Sequence, residues 1–390
     1  MTEYLDGPVA IVGAGIGGLT AALSLQHFGV PVRVFEQART LREIGAGVTI
    51  TPNAMNALDF LGIGPALAEQ AGETPRYFVR SGADGRELER GPDPDSFVRD
   101  FGAGYCNLHR ADLHGALTDA VTKNDPDAIA LDHRFDYLEQ DGDKVVAHFS
   151  NRTSFEAPAL IGADGGASAV RNAVFGGQDA SYTGHVALRA LVPITRVPQA
   201  IVADPYALYV GAGRSLIHYP LRRQTTMNLL GNAQASQWQA EGWSIPATVR
   251  EFGSLFDDFP EPVRELIAAI PEADLFKWGL RDREPLPAWT RGRVTMLGDA
   301  AHPMTPYLGQ GACMAIEDGM ILGRAFGASQ DLAEAFAHYE AARRDRANGV
   351  QLAARYQGTQ HHGSTASGPS SGKTAVTLGL FSYNPVTEPV

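Results

Sequence analysis

Cysteine is scarce in this chain. Its 390 residues include two, Cys106 and Cys313. Two thiols make neither a four-cysteine metal site nor a disulfide framework, so no metal centre is expected and reduced thiols in a cytoplasmic protein are. Positive charge is also short. Against 44 acidic residues stand 32 Lys and Arg, a formal net charge of -12. That excludes the broad basic footprint needed to hold nucleic acid or an anionic membrane surface. No apolar run approaches the ~20 residues a bilayer crossing requires, so no stable membrane association is expected. Met1 to Pro8 carries two acids and no base, which is not the pattern of a secretory leader.

What is present is the composition of a large enzyme. Hydrophobic residues make up 44 % and charged residues 19 %, enough apolar material for more than one core. Val9 to Val12 is a continuous β-prone run of the kind buried in a parallel sheet. Gly13-Ala14-Gly15-Ile16-Gly17-Gly18 follows, then a helical pattern that stops at Gly29 before Pro31, then the strand Val32 to Phe35 ending at Glu36. In such a β-α-β unit, Gly13 permits the tight turn and Gly15 the approach of a pyrophosphate. Gly18 permits close packing of helix on strand. Free N–H groups at the helix start meet the phosphates. Glu36, 18 residues after Gly18, is placed to accept from a ribose diol.

Two further motifs lie far downstream. Asp164 stands between Gly162 and Gly165, where a turn aspartate is the plain alternative. Asp299, in Gly298-Asp299-Ala300-Ala301-His302-Pro303, follows the strand Val294 to Leu297. It therefore sits at a carboxyl strand end, the edge where such sheets bind ligands, with helix capping as the alternative. Gly309-Gln310-Gly311-Ala312 precedes a helix, and its amides could face developing negative charge.

Lys144 to Phe149 and Ala159 to Ile161 read as strands of the first sheet. From Gly176 to about Leu286 the pattern alternates, as in Ala207 to Val210, Leu216 to Tyr219 and Thr226 to Leu230, which indicates an antiparallel sheet. The expected fold is α/β. A Rossmann-like FAD-binding domain is built from 1–71, 105–175 and 287–360, and an antiparallel-sheet substrate domain from 72–104 and 176–286. C-terminal helices and a mobile, Ser/Gly-rich tail over 361–390 complete the chain.

With these motifs in this order, the chain resembles the class A, single-component FAD monooxygenases of the para-hydroxybenzoate hydroxylase-like fold. Gly45 to Val48 with Thr51 to Ala54, His109 to Leu113, and Gly298 to Gly319 look most like the group of salicylate hydroxylase, 3-hydroxybenzoate 6-hydroxylase and 6-hydroxynicotinate 3-monooxygenase. The resemblance implies FAD, NADH or NADPH as co-substrate, and O₂. It implies hydroxylation of a small aromatic or heteroaromatic acid through a flavin C4a-hydroperoxide. It places Gly13, Gly15, Gly17, Gly18 and Glu36 on the dinucleotide, and Arg42 on its adenosine side. Val48 is among the cofactor-binding residues, Gly309, Gly311 and Ala312 border the flavin ring, Arg110 falls on the flavin's phosphate or ribityl region, Asp299 on the ribityl chain, and Asp164 on FAD and NAD(P)H. It also makes Tyr219, His218, Tyr307 and His302 the candidate catalytic residues. Neighbouring strand positions face opposite ways, so at most one of His218 and Tyr219 can face the substrate. Tyr307 replaces a histidine of salicylate hydroxylase, and Pro306 a glutamine of 3-hydroxybenzoate 6-hydroxylase. The alternatives are a relative acting on a larger ring system, such as a purine or polyketide, and a non-oxygenating flavin reductase or regulator. A monomer or homodimer is expected.

Overall fold

The computed structural model describes residues 5–41, 46–177, 180–238, 244–361 and 375–390. Arg42 and the Ser/Gly-rich stretch 363–372 lie outside them.

The β-prone run forms a strand at Val9–Val12 with all four residues buried. It sits in the middle of a six-stranded sheet, paired in parallel with Val32–Phe35 on one side and Leu160–Gly162 on the other. Val294–Met296 extends the sheet beyond Leu160–Gly162, and Thr290–Arg291 edges it. Ile129–Ala130 closes the opposite side. Strand ends carrying Gly13, Ala163 and Leu297 therefore come together, although each comes from a different part of the chain. The helix Ile16–His27 packs against the largely buried helix Gly311–Ala328. The long helix Leu332–His361 lies behind it, and Tyr339 donates to the carbonyl of Met296 at 2.9 Å.

One strand belongs elsewhere than the sequence indicated. Lys144–Phe149 forms a separate antiparallel sheet with Phe135–Asp141 and Ser154–Ala157, not part of the first sheet. The reason is local. Asp141 pairs with Lys144 across a two-residue turn, with Gly142 at φ +54°, and an aspartate-flanked glycine of this kind is a hairpin signal.

The second large sheet has eight strands, in the order 245–246, 275–282, 181–193, 226–234, 214–221, 207–211, 78–81, 87–90. It is antiparallel except where Phe78–Ser81 pairs in parallel with Ala207–Gly211. Its two faces differ. Val186, Leu188, Ala190 and Val192 join Leu216, Met227 and Leu229 in a core covered by Ile201, Phe252, Phe256, Val263 and Leu266. The residues between them face the first domain. No helix among the described residues is long and apolar enough to cross a membrane.

Candidate active site

A cavity of about 410 Å³ lies between the two large sheets. One end is built from backbone. Gly15, Gly17, Gly47, Val48, Ala163, Gly165, Gly298, Gly309, Gly311 and Ala312 line it, together with the side chains of Arg110, Asp299 and Gln310. The other end is built from side chains on the eight-stranded sheet and its neighbours, chiefly Tyr77, Tyr105, Arg189, Tyr206, Tyr219 and Asn232.

The glycines at the first end are there for space. Gly13 has φ +106°, and a Cβ on it would lie 2.4 Å from the Ala163 carbonyl. A Cβ on Gly18 would lie 2.0 Å from the Gly13 carbonyl, whereas one on Gly15 would meet nothing within 4 Å. Turn and packing are therefore forced at Gly13 and Gly18. Gly15 leaves open the mouth of a helix whose first amides carry the positive end of its dipole. Glu36 accepts from the amides of Ala14 at 3.0 Å and Ala38 at 2.8 Å, which fixes its carboxylate at the end of the second strand. Asp299 is exposed to the cavity, and loss of solvent to the surrounding protein raises its carboxyl above the ordinary value, against the pull of His302, Arg110 and Arg171. A glycine-built phosphate cradle, an acid at the second strand end and a carboxylate beside a helix start fit a flavin dinucleotide.

Asp164 also has a local role. Its carboxylate accepts from the amides of Ala169 at 2.7 Å and Val170 at 3.1 Å and from the Ser168 hydroxyl, so it starts the helix Ala169–Phe175. Its neighbours Ala163 and Gly165 reach the cavity.

Of the four candidate catalytic residues, two line the cavity. Tyr219 does, with Gly47 packed so closely against its ring that a Cβ there would come within 2.6 Å. Burial raises its pKa, and Arg189 opposes that rise. Tyr307 does as well, on a one-turn helix over Pro306–Leu308. The histidines do not. His218 points to the opposite face of its strand, fully buried, with Nδ1 3.1 Å from the Pro205 carbonyl. Burial pulls its pKa down to about 4, so it is neutral at pH 7. His302 is fully buried beside Trp289, with Nε2 2.6 Å from Asp318. Strand alternation explains the first correction, and a charged partner in the core explains the second.

That partner belongs to a buried ionic cluster. Asp318 accepts from the Gly298 amide at 2.9 Å and from Arg343 at 2.8 Å. Burial alone would raise its carboxyl, but His302 and Arg343 bring it down to about 2. Glu317 accepts from Arg343 at 2.5 Å, Arg346 at 2.8 Å and Asn53 at 2.6 Å. Asn53 in turn donates to Gln310 at 3.2 Å. The cluster thus clamps both the Gly298-Asp299 turn and the Gly309–Gly311 turn from behind.

Arg189 was missed in the sequence, although a lone arginine inside Val186-Ala187-Leu188-Arg189-Ala190-Leu191-Val192 was a usable signal. It lies on the cavity face and over the Trp278 ring, 5.5 Å from its centre. Burial lowers its pKa. Among the described residues its Nε has no hydrogen-bond partner, nor does Oδ1 of nearby Asn232 in the same wall. Buried polar atoms are nearly always paired, so this end of the cavity presents a cation and an acceptor to something from outside the chain.

The FAD binding domain family matches residues 6–354. The chain belongs to that family. It is 37 % identical over 359 residues to a 3-hydroxybenzoate 6-hydroxylase of Polaromonas naphthalenivorans, covering 92 % of this chain and 88 % of the other. It is 34 % identical to a 6-hydroxynicotinate 3-monooxygenase of Bordetella bronchiseptica, covering 88 % and 89 %. Among solved structures, Klebsiella pneumoniae HpxO complexed with FAD and uric acid superimposes with a TM-score of 0.83 at 30 % identity, covering 92 % and 90 %.

Proposed function

We propose that this protein is an FAD-dependent monooxygenase that hydroxylates a small aromatic or heteroaromatic acid with NAD(P)H and O₂. The observation that carries the substrate class is Arg189, a guanidinium in the cavity wall whose Nε has no hydrogen-bond partner among the described residues. An anionic group on the substrate supplies that partner, because a desolvated cation is costly until it is paired. The apolar remainder of the wall, with Leu208, Ile217, Leu230 and the tyrosine rings, suits a flat ring.

Bound FAD supplies hydride acceptance and oxygen activation. The backbone end of the cavity would hold it: Gly15 and Gly17 at the pyrophosphate, with Gly13 and Gly18 shaping the turn behind them, Glu36 at the ribose, Arg110 and Asp299 toward the ribityl chain, Val48 and Gly309 to Ala312 beside the ring. The amides at the start of Gly311–Ala328 face negative charge there. Arg189 and Tyr219 orient the substrate at the other end. No histidine lines the wall among the described residues, so a substrate phenol gives its proton to water as it enters and the field of Arg189 and its neighbours stabilises the phenolate. Overall, the ring gains one oxygen atom, the other leaves as water, and NAD(P)H supplies two electrons.

The test is NADH and NADPH consumption by flavin-loaded protein against hydroxybenzoates, hydroxynicotinates and uric acid, with peroxide measured in parallel. Strong stimulation by a monocyclic acid with little peroxide supports the proposal. Stimulation by uric acid alone transfers it to a larger ring, and stimulation that ends wholly as peroxide rejects oxygenation.

A further inference from the structure

The segment Ala375 to Val390 follows the long C-terminal helix yet returns to the reaction cavity. Ala375 and Phe381 stand in its wall. They are buried in an apolar cluster with Phe97, Leu308, Met314 and Val350. Ring contacts continue inward from Phe381: Phe97 at 5.4 Å, then Phe97 to Tyr105 at 5.2 Å, Tyr105 to Tyr206 at 6.2 Å and Tyr206 to Tyr219 at 5.5 Å. Phe381 is the far end of a row of aromatic rings whose inner end is the tyrosine beside Arg189.

The segment is also seated firmly. Arg324 donates to the carbonyls of Pro385 at 2.8 Å and Glu388 at 2.6 Å. The Arg346 guanidinium lies 3.8 Å from the centre of the Tyr383 ring, and it donates to the Leu380 carbonyl at 3.4 Å. Arg343 faces the same ring at 5.4 Å. These two arginines hold Glu317, and through Asn53 they reach Gln310 in the cavity wall. Segment, ionic cluster and cavity wall are one continuous packing unit.

We infer that the C-terminal segment is a constitutive wall of the active site. Phe381 limits the size of ring admitted, and Tyr383 and Arg324 are positioning residues that keep it in place. The inference rests on the monooxygenase reading above. A closed wall keeps the ring oriented and water out. When either fails, O₂ takes the two electrons of NADH and two protons and leaves as hydrogen peroxide, while NAD⁺ forms and the aromatic acid is released unchanged.

The experiment uses the flavin-loaded full chain and the variants Phe381→Ala, Phe381→Leu and Tyr383→Leu. Peroxide formed per NADH should rise severalfold in Phe381→Ala. Preference should shift about tenfold from single-ring acids toward naphthoates, as expected when a pocket loses apolar bulk. Phe381→Leu should move both readouts in the same direction, and it covers the case that the alanine variant does not fold. Tyr383→Leu should raise KM more than it lowers kcat. Wild-type coupling and wild-type ring preference in both Phe381 variants overturn the wall. If the wild-type protein oxygenates no aromatic acid, the functional reading has failed, and the wall is judged without turnover. Benzoate and naphthoate are then titrated into the oxidised protein and followed by flavin absorbance, where an unchanged ratio of affinities in the Phe381 variants rejects it.

Discussion

Arg343 and Arg189 are both enclosed, one between two helices and one in the wall of a cavity. Arg343 is 0 % exposed and meets Glu317 and Asp318. Those carboxylates hold it protonated well above the ordinary arginine value. Arg189 has its pKa lowered by burial, opposed by Tyr219 and reinforced by Arg110. The same side chain therefore closes a network in one place and leaves one open in the other. A satisfied buried charge supports the turns on which a site is built. An unsatisfied one on a cavity wall leaves room for a partner from outside the chain.

Substitutions should separate the two roles. The largest effect is expected for Arg343→Met, which leaves Glu317 and Asp318 short of a cation. Loss of one partner from a buried pair removes about 3–5 kcal/mol of stability, read as a lower urea midpoint. Arg189→Gln should leave that midpoint nearly unchanged, because it breaks no ion pair among the described residues. It should instead raise the KM for an aromatic acid about a hundredfold, the equivalent of one charge-assisted hydrogen bond. A variant that loses stability with unchanged KM would assign Arg189 to the fold.

The pH dependence sharpens the contrast. The Asp318 carboxyl, at about 2 in the folded protein, is below its unfolded value. Its contribution is complete above about pH 4 and is lost as pH falls toward 2, on the order of 2 kcal/mol. His218, held down to about 4, is neutral when folded and protonates more readily when unfolded. Its contribution is present above about pH 6.5 and is lost as pH falls toward 4. His218→Gln should flatten the stability curve in that upper window and leave the pH profile of kcat/KM near neutrality unchanged. A shifted kcat/KM profile would return His218 to the chemistry. Asp299→Ala should weaken FAD retention by about tenfold, the loss of one hydrogen-bonding carboxylate. Full flavin occupancy in dilute, gel-filtered protein would remove Asp299 from the site.

The two ends of the cavity were unequally legible in the sequence. Gly13 to Gly18, Glu36 and Gly298-Asp299 act through local backbone geometry, so spacing along the chain carries most of their meaning. The substrate end is assembled from strands that meet only after folding. Period-two alternation already placed His218 and Tyr219 on opposite faces, but it could not say which face meets the cavity. Asp164 shows the converse limit. Its hydrogen bonds from the Ala169 and Val170 amides put it at a helix start, which spacing along the chain did not show. Phe381 left no local signal, because its role comes from a return of the chain over the cavity.

The most direct measurement is oxygen-18 incorporation from labelled O₂ into the product of the best aromatic acid, run beside the neutral amide of that acid. One labelled oxygen atom in the hydroxylated acid, with little product from the amide, is the expected result. An unlabelled product would contradict oxygenation, and equal turnover of acid and amide would contradict recognition of the anion by Arg189.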